Sequence, residues 1–257
     1  MARMSEANVG DAKNSLRDRR LNGPLSGASA LVTGGNRGIG RAIALRLAAL
    51  GASVAISGRA QAALDETLAA LRELGATAHA QAADVTNVDQ IAALVRDTEA
   101  AIGPLSILVN NAGVGIFAPI QEQTEANWDM ILDTNLKSVF LVSRAVFPGM
   151  MQRGRGDIIN ISSLAGINAF AGGAIYCASK WGLQGLTACM AEDLRGYGIR
   201  VSSVCPGSVA TEFSGKSAQQ KPHALRAEDV AHAVATIVTQ APNSFISQLQ
   251  IRPLRKA

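Results

Sequence analysis

Short apolar segments alternate with amphipathic segments along most of this sequence, and that alternation limits the folds open to the chain. Runs such as "ALVT", "SVAIS", "SILVN" and "DIINIS" have the length of buried strands, and each precedes a segment with helical periodicity. A strand, a helix and another strand in this order pair in parallel through right-handed crossovers. We therefore predict an α/β fold with a doubly wound parallel sheet, whose ligands bind beyond the carboxyl ends of the strands.

The pattern predicts about seven strands and seven helices. The strands lie in segments 28–34, 53–57, 77–82, 105–110, 157–162, 199–205 and 244–251. The helices lie in segments 41–51, 60–74, 87–102, 125–133, 135–153, 176–197 and 227–239. No internal repeat or low-complexity linker interrupts them, so we assign residues 25–257 to one domain and residues 1–24 to a polar, mobile extension.

Composition and charge narrow the class of protein. The chain of 257 residues is 48% hydrophobic and 17% charged, which is enough apolar material for a core on both sides of a sheet. Its net charge of +4 comes from basic residues near the two ends, and no basic stripe crosses the body, so we predict no nucleic-acid partner. The first 27 residues contain no apolar leader segment, and no stretch is long and apolar enough to span a bilayer. We expect a cytoplasmic protein without a membrane partner.

The three cysteines carry no metal pattern. Cys177, Cys189 and Cys205 are odd in number and irregular in spacing, so we interpret them as reduced thiols and predict no metal site. Cys177 lies beside a tyrosine of interest, but a buried thiol is the better interpretation than a nucleophile.

A glycine cluster follows the first predicted strand. The segment "GGNRGIG" places Gly34, Gly38 and Gly40 between a strand and a helix. Its spacing differs from the common G-x-G-x-x-G pattern, but the mechanics are the same: glycines permit a tight turn, and the free N–H groups of the helix face a pyrophosphate. A plain strand-to-helix turn is the alternative.

The type of dinucleotide is indicated by the charges near this cluster. An NAD-binding chain usually carries an acid at the end of the second strand, where it holds the ribose 2′-hydroxyl. Here the strand ends in Gly58 and Arg59, and Arg37 lies within the glycine loop. Two guanidinium groups suit a 2′-phosphate, so we predict NADP(H) over NAD(H). Solvated loop arginines are the alternative interpretation.

Seven motifs together resemble the short-chain dehydrogenase/reductase family, a Rossmann-fold family, across residues 25–210. They are "TGGNRGIG", "ADV", "NNAG", "TNLKSVF", "NISSLAG", "YCASK" and "CPGSVAT", in family order and at family spacing. Within the family the resemblance is strongest to NADP-dependent 3-oxoacyl-carrier-protein reductases. It implies cofactor contacts from Gly34, Asn36, Arg37, Gly38, Ile39, Gly40, Arg59, Asp84, Val85, Asn111, Ala112, Gly113, Tyr176, Lys180, Pro206, Gly207, Val209 and Thr211.

The resemblance also implies catalytic roles for four residues. Tyr176 would be the general acid in reduction, with Lys180 lowering its pKa and binding the nicotinamide ribose. Ser163 would hydrogen-bond the substrate oxygen; it is preferred to Ser162 because the family serine lies about thirteen residues before the tyrosine. Asn135 would hold a water that links Lys180 to solvent.

The reaction is predicted more sharply than the substrate. We expect an NADPH-dependent reductase of a ketone or aldehyde carbonyl, acting on a small molecule that resembles a 3-oxoacyl thioester. A sugar or alcohol dehydrogenase of the same fold and a catalytically silent NADP-binding regulator are the alternatives.

A homo-oligomer, either a dimer or a tetramer, is implied by the resemblance. The chain departs from many family members by a short segment after the "CPG" loop and by an end without glycine, "SQLQIRPLRKA".

Overall fold

The computed structural model describes residues 23–211, residue 213 and residues 223–255. The predicted extension, apart from its last two residues, and most of the segment after the "CPG" loop lie outside the described residues.

One parallel sheet of seven strands forms the centre of the molecule. Its order is β3-β2-β1-β4-β5-β6-β7, so the chain winds outward from β1 in one direction and then from β4 in the other. This order confirms the predicted doubly wound α/β fold. The strands are β1 Ser29–Thr33, β2 Ser53–Gly58, β3 Ala78–Ala82, β4 Ile107–Asn110, β5 Gly156–Ile161, β6 Ile199–Pro206 and β7 Gln248–Ile251.

Seven α-helices in the described residues cover the two faces of the sheet. They are α1 Gly38–Ala49, α2 Gln61–Glu73, α3 Val88–Ile102, α4 Glu125–Leu132, α5 Ser138–Arg153, α6 Ala174–Arg195 and α7 Ala227–Val238. Side chains of α1, α2 and α7 share one buried cluster with the sheet, and side chains of α3, α5 and α6 share another. The five central strands therefore face a core on both sides, as is usual in parallel sheets, whereas the edge strands β3 and β7 are only partly buried.

Helix ends follow local signals in the sequence. Asn87 caps α3 by accepting a hydrogen bond from the Gln90 N–H at 3.0 Å. Gly154 ends α5 in the left-handed conformation at φ 65°, which an L side chain rarely adopts. These signals place most helix boundaries within two residues of the sequence prediction.

The connection between α4 and α5 differs from the prediction of two separate helices. A π-helical turn, Asp133–Lys137, joins them without a break. The prediction placed an interruption near residue 134, between helices 125–133 and 135–153. A π turn shifts the helical face without ending the helix, and such turns are frequent at functional sites.

Two glycines in helices give a matched test of backbone packing. A Cβ on Gly40 would overlap the carbonyl oxygen of Gly34, whereas a Cβ on Gly185 in α6 would meet nothing within 4 Å. We expect Gly40→Ala to lower the midpoint of thermal unfolding and Gly185→Ala to raise stability by about 1 kcal/mol, because alanine favours a helix interior. Thermal unfolding of both variants measures this. Equal shifts of the same sign would contradict it.

Candidate active site

A cavity of about 1800 Å³ opens at the carboxyl ends of the strands. All of the predicted cofactor-contacting residues line it, together with Ser163, Tyr176 and Lys180. Asn135 does not line the cavity and is fully buried behind it. Residues that lie far apart in the sequence therefore surround one space, because all of them follow parallel strands that end at the same edge.

The glycine loop after β1 has the shape of a phosphate cradle. Gly34 and Gly38 adopt positive φ of 63° and 52°. A Cβ on Gly34 would lie 3.0 Å from the Cα of Ala112, so this wall of the cavity admits no side chain. The cavity size, the bare backbone and the start of α1 in the same place fit a dinucleotide, with its pyrophosphate at the N-terminus of α1.

The far end of the cavity carries Arg37, Arg59 and Asp84. The Asp84 carboxylate accepts hydrogen bonds from the N–H and the hydroxyl of Thr86 at 2.9 and 2.7 Å. These bonds, with a smaller contribution from the Arg59 charge, hold the pKa of Asp84 below its usual value. Asp84 is therefore a fixed carboxylate whose two hydrogen bonds orient the loop after β3.

Gly58 has a packing reason to lack a side chain. A Cβ at this position would lie 2.6 Å from the Oδ1 of Asn36. The Asn36 side chain therefore covers the end of β2, where an NAD-binding chain would carry its acid. The sequence has no acid at this position, and the Asn36 side chain occupies the space that an acid side chain would need.

Two adjacent asparagines, Asn110 at the end of β4 and Asn111 directly after it, connect the strands beside the cavity. Asn111 donates from its side-chain nitrogen to the carbonyls of Thr33 and Gly34, at 3.0 and 3.1 Å. Asn110 donates to Asn160 on β5 at 2.9 Å and to Ser143 on α5 at 3.0 Å, within the buried interior. Satisfied buried networks of this kind fix one arrangement of the strands.

Tyr176 lies in the first turn of α6 with 8% of its surface exposed. Burial raises the pKa of its phenol to about 12, against the opposing effect of a hydrogen bond with the Ser163 side chain; the nearby Cys177 adds to the rise. Ser163 also accepts a hydrogen bond from the Ala165 N–H at 3.1 Å. The sequence prediction was a Tyr176 pKa lowered by Lys180. In the structure the direction is the opposite, and the phenol is protonated at neutral pH.

Lys180 lies one helical turn after Tyr176 and is buried. Its Nζ donates to the Ile161 carbonyl at 2.9 Å and lies 5.8 Å from the centre of the Tyr176 ring. Burial lowers the pKa of this amine to about 8, with a smaller opposing contribution from Cys205. The ammonium is directed at a backbone carbonyl, which explains why burial dominates the pKa of the phenol.

Asn135 occupies the π turn between α4 and α5. Its side-chain oxygen accepts from the Val114 N–H at 2.8 Å, and its nitrogen donates to the Val114 carbonyl at 2.8 Å and to Ser179 Oγ at 3.2 Å. Both amide hydrogens are therefore used. A water that links Lys180 to solvent, as predicted for Asn135, would have to be held by one of its oxygen atoms.

Sequence reasoning missed the aromatic wall around Tyr176. The Phe117 ring packs edge-on against the Tyr176 ring at 5.3 Å, and the Phe213 ring lies 5.9 Å from it on a tilted plane. Phe170 lies 5.8 Å from Phe117. All three phenylalanines line the cavity and are partly exposed. They belong to loops without family motifs, so no signal in a single sequence separates them from other loop aromatics.

The doubly wound fold and the glycine-lined cavity are typical of dinucleotide-binding proteins, and comparison with known proteins gives the family. The family model for short chain dehydrogenases matches residues 28–222. Gluconate 5-dehydrogenase of Gluconobacter oxydans is 41% identical over 194 residues, which are 74% of this chain and 74% of that protein. The chain belongs to the short-chain dehydrogenase family.

Further similar proteins include a reductase and a solved structure that contains NADP. The 3-oxoacyl-(acyl-carrier-protein) reductase FabG of Staphylococcus aureus is 38% identical over 191 residues, covering 72% of this chain and 76% of its own. The crystal structure of a metagenomic short-chain oxidoreductase in complex with NADP superposes with a TM-score of 0.81 and 44% identity. It covers 91% of this chain and 100% of its own length.

The described residues contain neither a membrane-spanning helix nor a metal-binding cluster. None of the described helices is long and apolar enough to cross a membrane. Within the same residues, no group of three or more His, Cys, Asp or Glu side chains is placed to hold a metal ion.

Proposed function

We propose that this chain is an NADPH-dependent reductase that converts a ketone or aldehyde carbonyl to an alcohol, and catalyses the reverse reaction. The observation that carries the proposal is the buried, protonated Tyr176 phenol, hydrogen-bonded with Ser163 on the wall of a cavity that also holds the glycine cradle. Carbonyl reduction needs a proton donor at the oxygen, and a phenol with a pKa of about 12 is in the donor form at neutral pH.

Four residues of the chain have separate roles in this reaction. A bound nicotinamide dinucleotide supplies the hydride and, in its oxidised form, a positive charge. Tyr176 donates its hydroxyl proton to the substrate oxygen, and Ser163 donates a hydrogen bond that stabilises the negative charge developing there. Lys180 binds the ribose hydroxyls, and Asn135 positions the π turn and a water for proton resupply. With its pKa raised to about 12, the Tyr176 phenol is protonated at neutral pH, which is the form that carbonyl reduction uses.

Cofactor preference is proposed from charge and space at the far end of the cavity. Arg37 and Arg59 are exposed there, and the position that would bear the NAD-specific acid is covered by Asn36. Guanidinium groups bind a phosphate dianion through charge-assisted, often bidentate, hydrogen bonds. These features support NADP(H) over NAD(H).

We expect the double variant Arg37→Ala/Arg59→Ala to raise the KM for NADPH about 10- to 100-fold, because each arginine contributes a charge-assisted hydrogen bond. The KM for NADH should change little, since NADH carries no 2′-phosphate. Arg72→Ala, which removes an exposed arginine from the end of α2 outside the cavity, is the control. Steady-state kinetics with both cofactors measures the ratio. A catalytic efficiency with NADH equal to that with NADPH in the wild type would refute the preference.

The substrate class has two candidates within one reaction type. The aromatic wall beside Tyr176 supports an apolar acyl chain, in line with the 3-oxoacyl reductase among the relatives. The similarity to gluconate 5-dehydrogenase supports a sugar acid or alcohol. NADPH oxidation with acetoacetyl thioesters, diketones and keto-sugars distinguishes them. If none of these compounds is turned over, the alternative of a catalytically silent NADP-binding regulator is favoured.

We also propose that the chain forms a homo-oligomer. Phe140 on α5 and Trp181 on α6 are 45% and 53% exposed, which is high for large apolar side chains. This exposure supports a homo-oligomer, and sedimentation equilibrium would measure its size. A cytoplasmic location, a small-molecule substrate and the absence of a nucleic-acid partner stay predictions from the sequence.

A further inference from the structure

Arg252 lines the candidate active-site cavity at the edge of the sheet formed by β7. It directly follows the strand, and its side chain is exposed. The Gly207 N–H donates to the Ile251 carbonyl at 2.8 Å, and a Cβ on Gly207 would lie 3.0 Å from the Pro253 ring. Both neighbours of Arg252 are therefore fixed against the loop after β6, which holds the arginine at the cavity wall.

Among the described residues, no carboxylate is a partner of this arginine. The two acids in the described cavity lining are engaged elsewhere: Asp84 accepts two hydrogen bonds from Thr86, and Asp133 pairs with Lys137 at 3.1 Å. A cation at a cavity wall with no carboxylate beside it favours an anionic ligand.

The position of Arg252 separates it from the predicted phosphate site. Arg59 follows β2 and Arg252 follows β7, with five strand spacings between them in the sheet order. At about 4.8 Å per spacing the two backbones lie roughly 24 Å apart, too far to share one 2′-phosphate. Ser163 follows β5, only two spacings or about 10 Å from β7. Arg252 therefore lies at the β7 end of the cavity, closer to Ser163 than to Arg59.

We propose that Arg252 binds a carboxylate of the substrate, which makes the preferred substrate an oxo acid with its carboxylate a few atoms from the reacting carbonyl. The inference rests on the proposed carbonyl reduction and adds the substrate class. With the carbonyl oxygen at Tyr176 and Ser163, the remaining 10 Å to the β7 edge is spanned by a short carbon chain together with the arginine side chain. The guanidinium then forms paired hydrogen bonds with the carboxylate.

The test compares two ketones of nearly equal shape, 4-oxopentanoate and 2,5-hexanedione, of which only the first is charged. We expect the wild type to prefer the oxo acid. Arg252→Gln should raise KM for 4-oxopentanoate about 10- to 100-fold with little change in kcat, and leave 2,5-hexanedione unchanged. Arg252→Lys should retain part of the preference. Arg255→Gln, which removes an exposed arginine of the same tail outside the cavity lining, is the matched control.

A second readout separates substrate binding from cofactor binding. The dissociation constant of NADPH, measured by fluorescence, should be the same in Arg252→Gln and the wild type. A weaker NADPH complex would overturn the proposal, as would a wild type that shows no preference for the oxo acid or binds neither ketone. If the wild type shows no preference for the oxo acid but turns over 2,5-hexanedione, and this turnover depends on Tyr176, then the proposed carbonyl reduction is retained and only the role of Arg252 is refuted.

Discussion

Tyr176→Phe should reduce kcat about 10²- to 10⁴-fold, the range that a general acid contributes. The substitution removes the hydroxyl that donates the proton and keeps the ring. The ring contacts with Phe117 and Phe213, at 5.3 and 5.9 Å, are therefore retained, and the fold and the cavity shape should be unchanged. The loss should appear in kcat and kcat/KM alike, because the proton is transferred only in the transition state.

Two controls make this result specific. Tyr197→Phe removes a hydroxyl from the chain's other tyrosine, which is 49% exposed at the end of α6, and should leave turnover unchanged. The NADPH dissociation constant and the thermal midpoint of Tyr176→Phe should match those of the wild type within error. Near-native turnover by Tyr176→Phe with intact NADPH binding would show that another group donates the proton.

Most of the fold follows from local rules that a single sequence displays. Buried strands of four to eight residues, glycine helix ends such as Gly154 and a strand-to-helix glycine turn leave few topologies other than a doubly wound sheet. The π turn at Asp133–Lys137 was not predicted. Its hydrogen-bonding pattern depends on Asn135 meeting Val114 and Ser179, which are distant in sequence, so propensity alone gives no signal for it.

Part of the candidate site could likewise be predicted from the sequence, and part of it could not. Motif residues such as Gly34 and Tyr176 are placed by elements whose order the sequence dictates, and the structure brings them into one cavity. Phe117 and Arg252 lie in segments without a motif, and only the folded structure shows that Phe117 packs against Tyr176 and that Arg252 lines the cavity. The direction of the Tyr176 pKa also needs three-dimensional information, because it is set by the burial of the phenol, which outweighs the hydrogen bond with Ser163 and which the sequence does not specify.

Lys180→Met should abolish most activity and at the same time stabilise the folded protein. The amine is buried and its pKa is lowered from 10.5 to about 8, so keeping it charged at neutral pH costs about 3 kcal/mol. Methionine removes that cost but leaves the Ile161 carbonyl without its 2.9 Å donor, which offsets about 1 to 2 kcal/mol. We expect a net gain of about 1 to 2 kcal/mol, or a rise in Tm of roughly 3 to 6 °C.

The pH dependence of that gain identifies its cause. The pKa of Lys180 is lower in the folded than in the unfolded chain, so between about pH 8 and 10.5 the unfolded chain holds a proton that the folded chain has released. Wild-type stability attributable to Lys180 therefore rises with pH across this window. Lys180→Met lacks this contribution, so its advantage over the wild type should be largest below pH 8 and shrink as the pH approaches 10.

Thermal unfolding of both proteins at pH 7 and pH 9.5 measures the difference directly, since groups common to both cancel. Lys137→Met is the control, because Lys137 is an exposed lysine paired with Asp133 and its removal should shift Tm little at either pH. A Lys180→Met variant that is less stable than the wild type at pH 7 would mean that the ammonium holds the active-site helix in place. A gain that persists unchanged at pH 9.5 would assign the effect to apolar packing and not to the buried charge. The expected combination, a more stable protein that has lost its activity, follows from a cation that the chemistry needs and the fold disfavours.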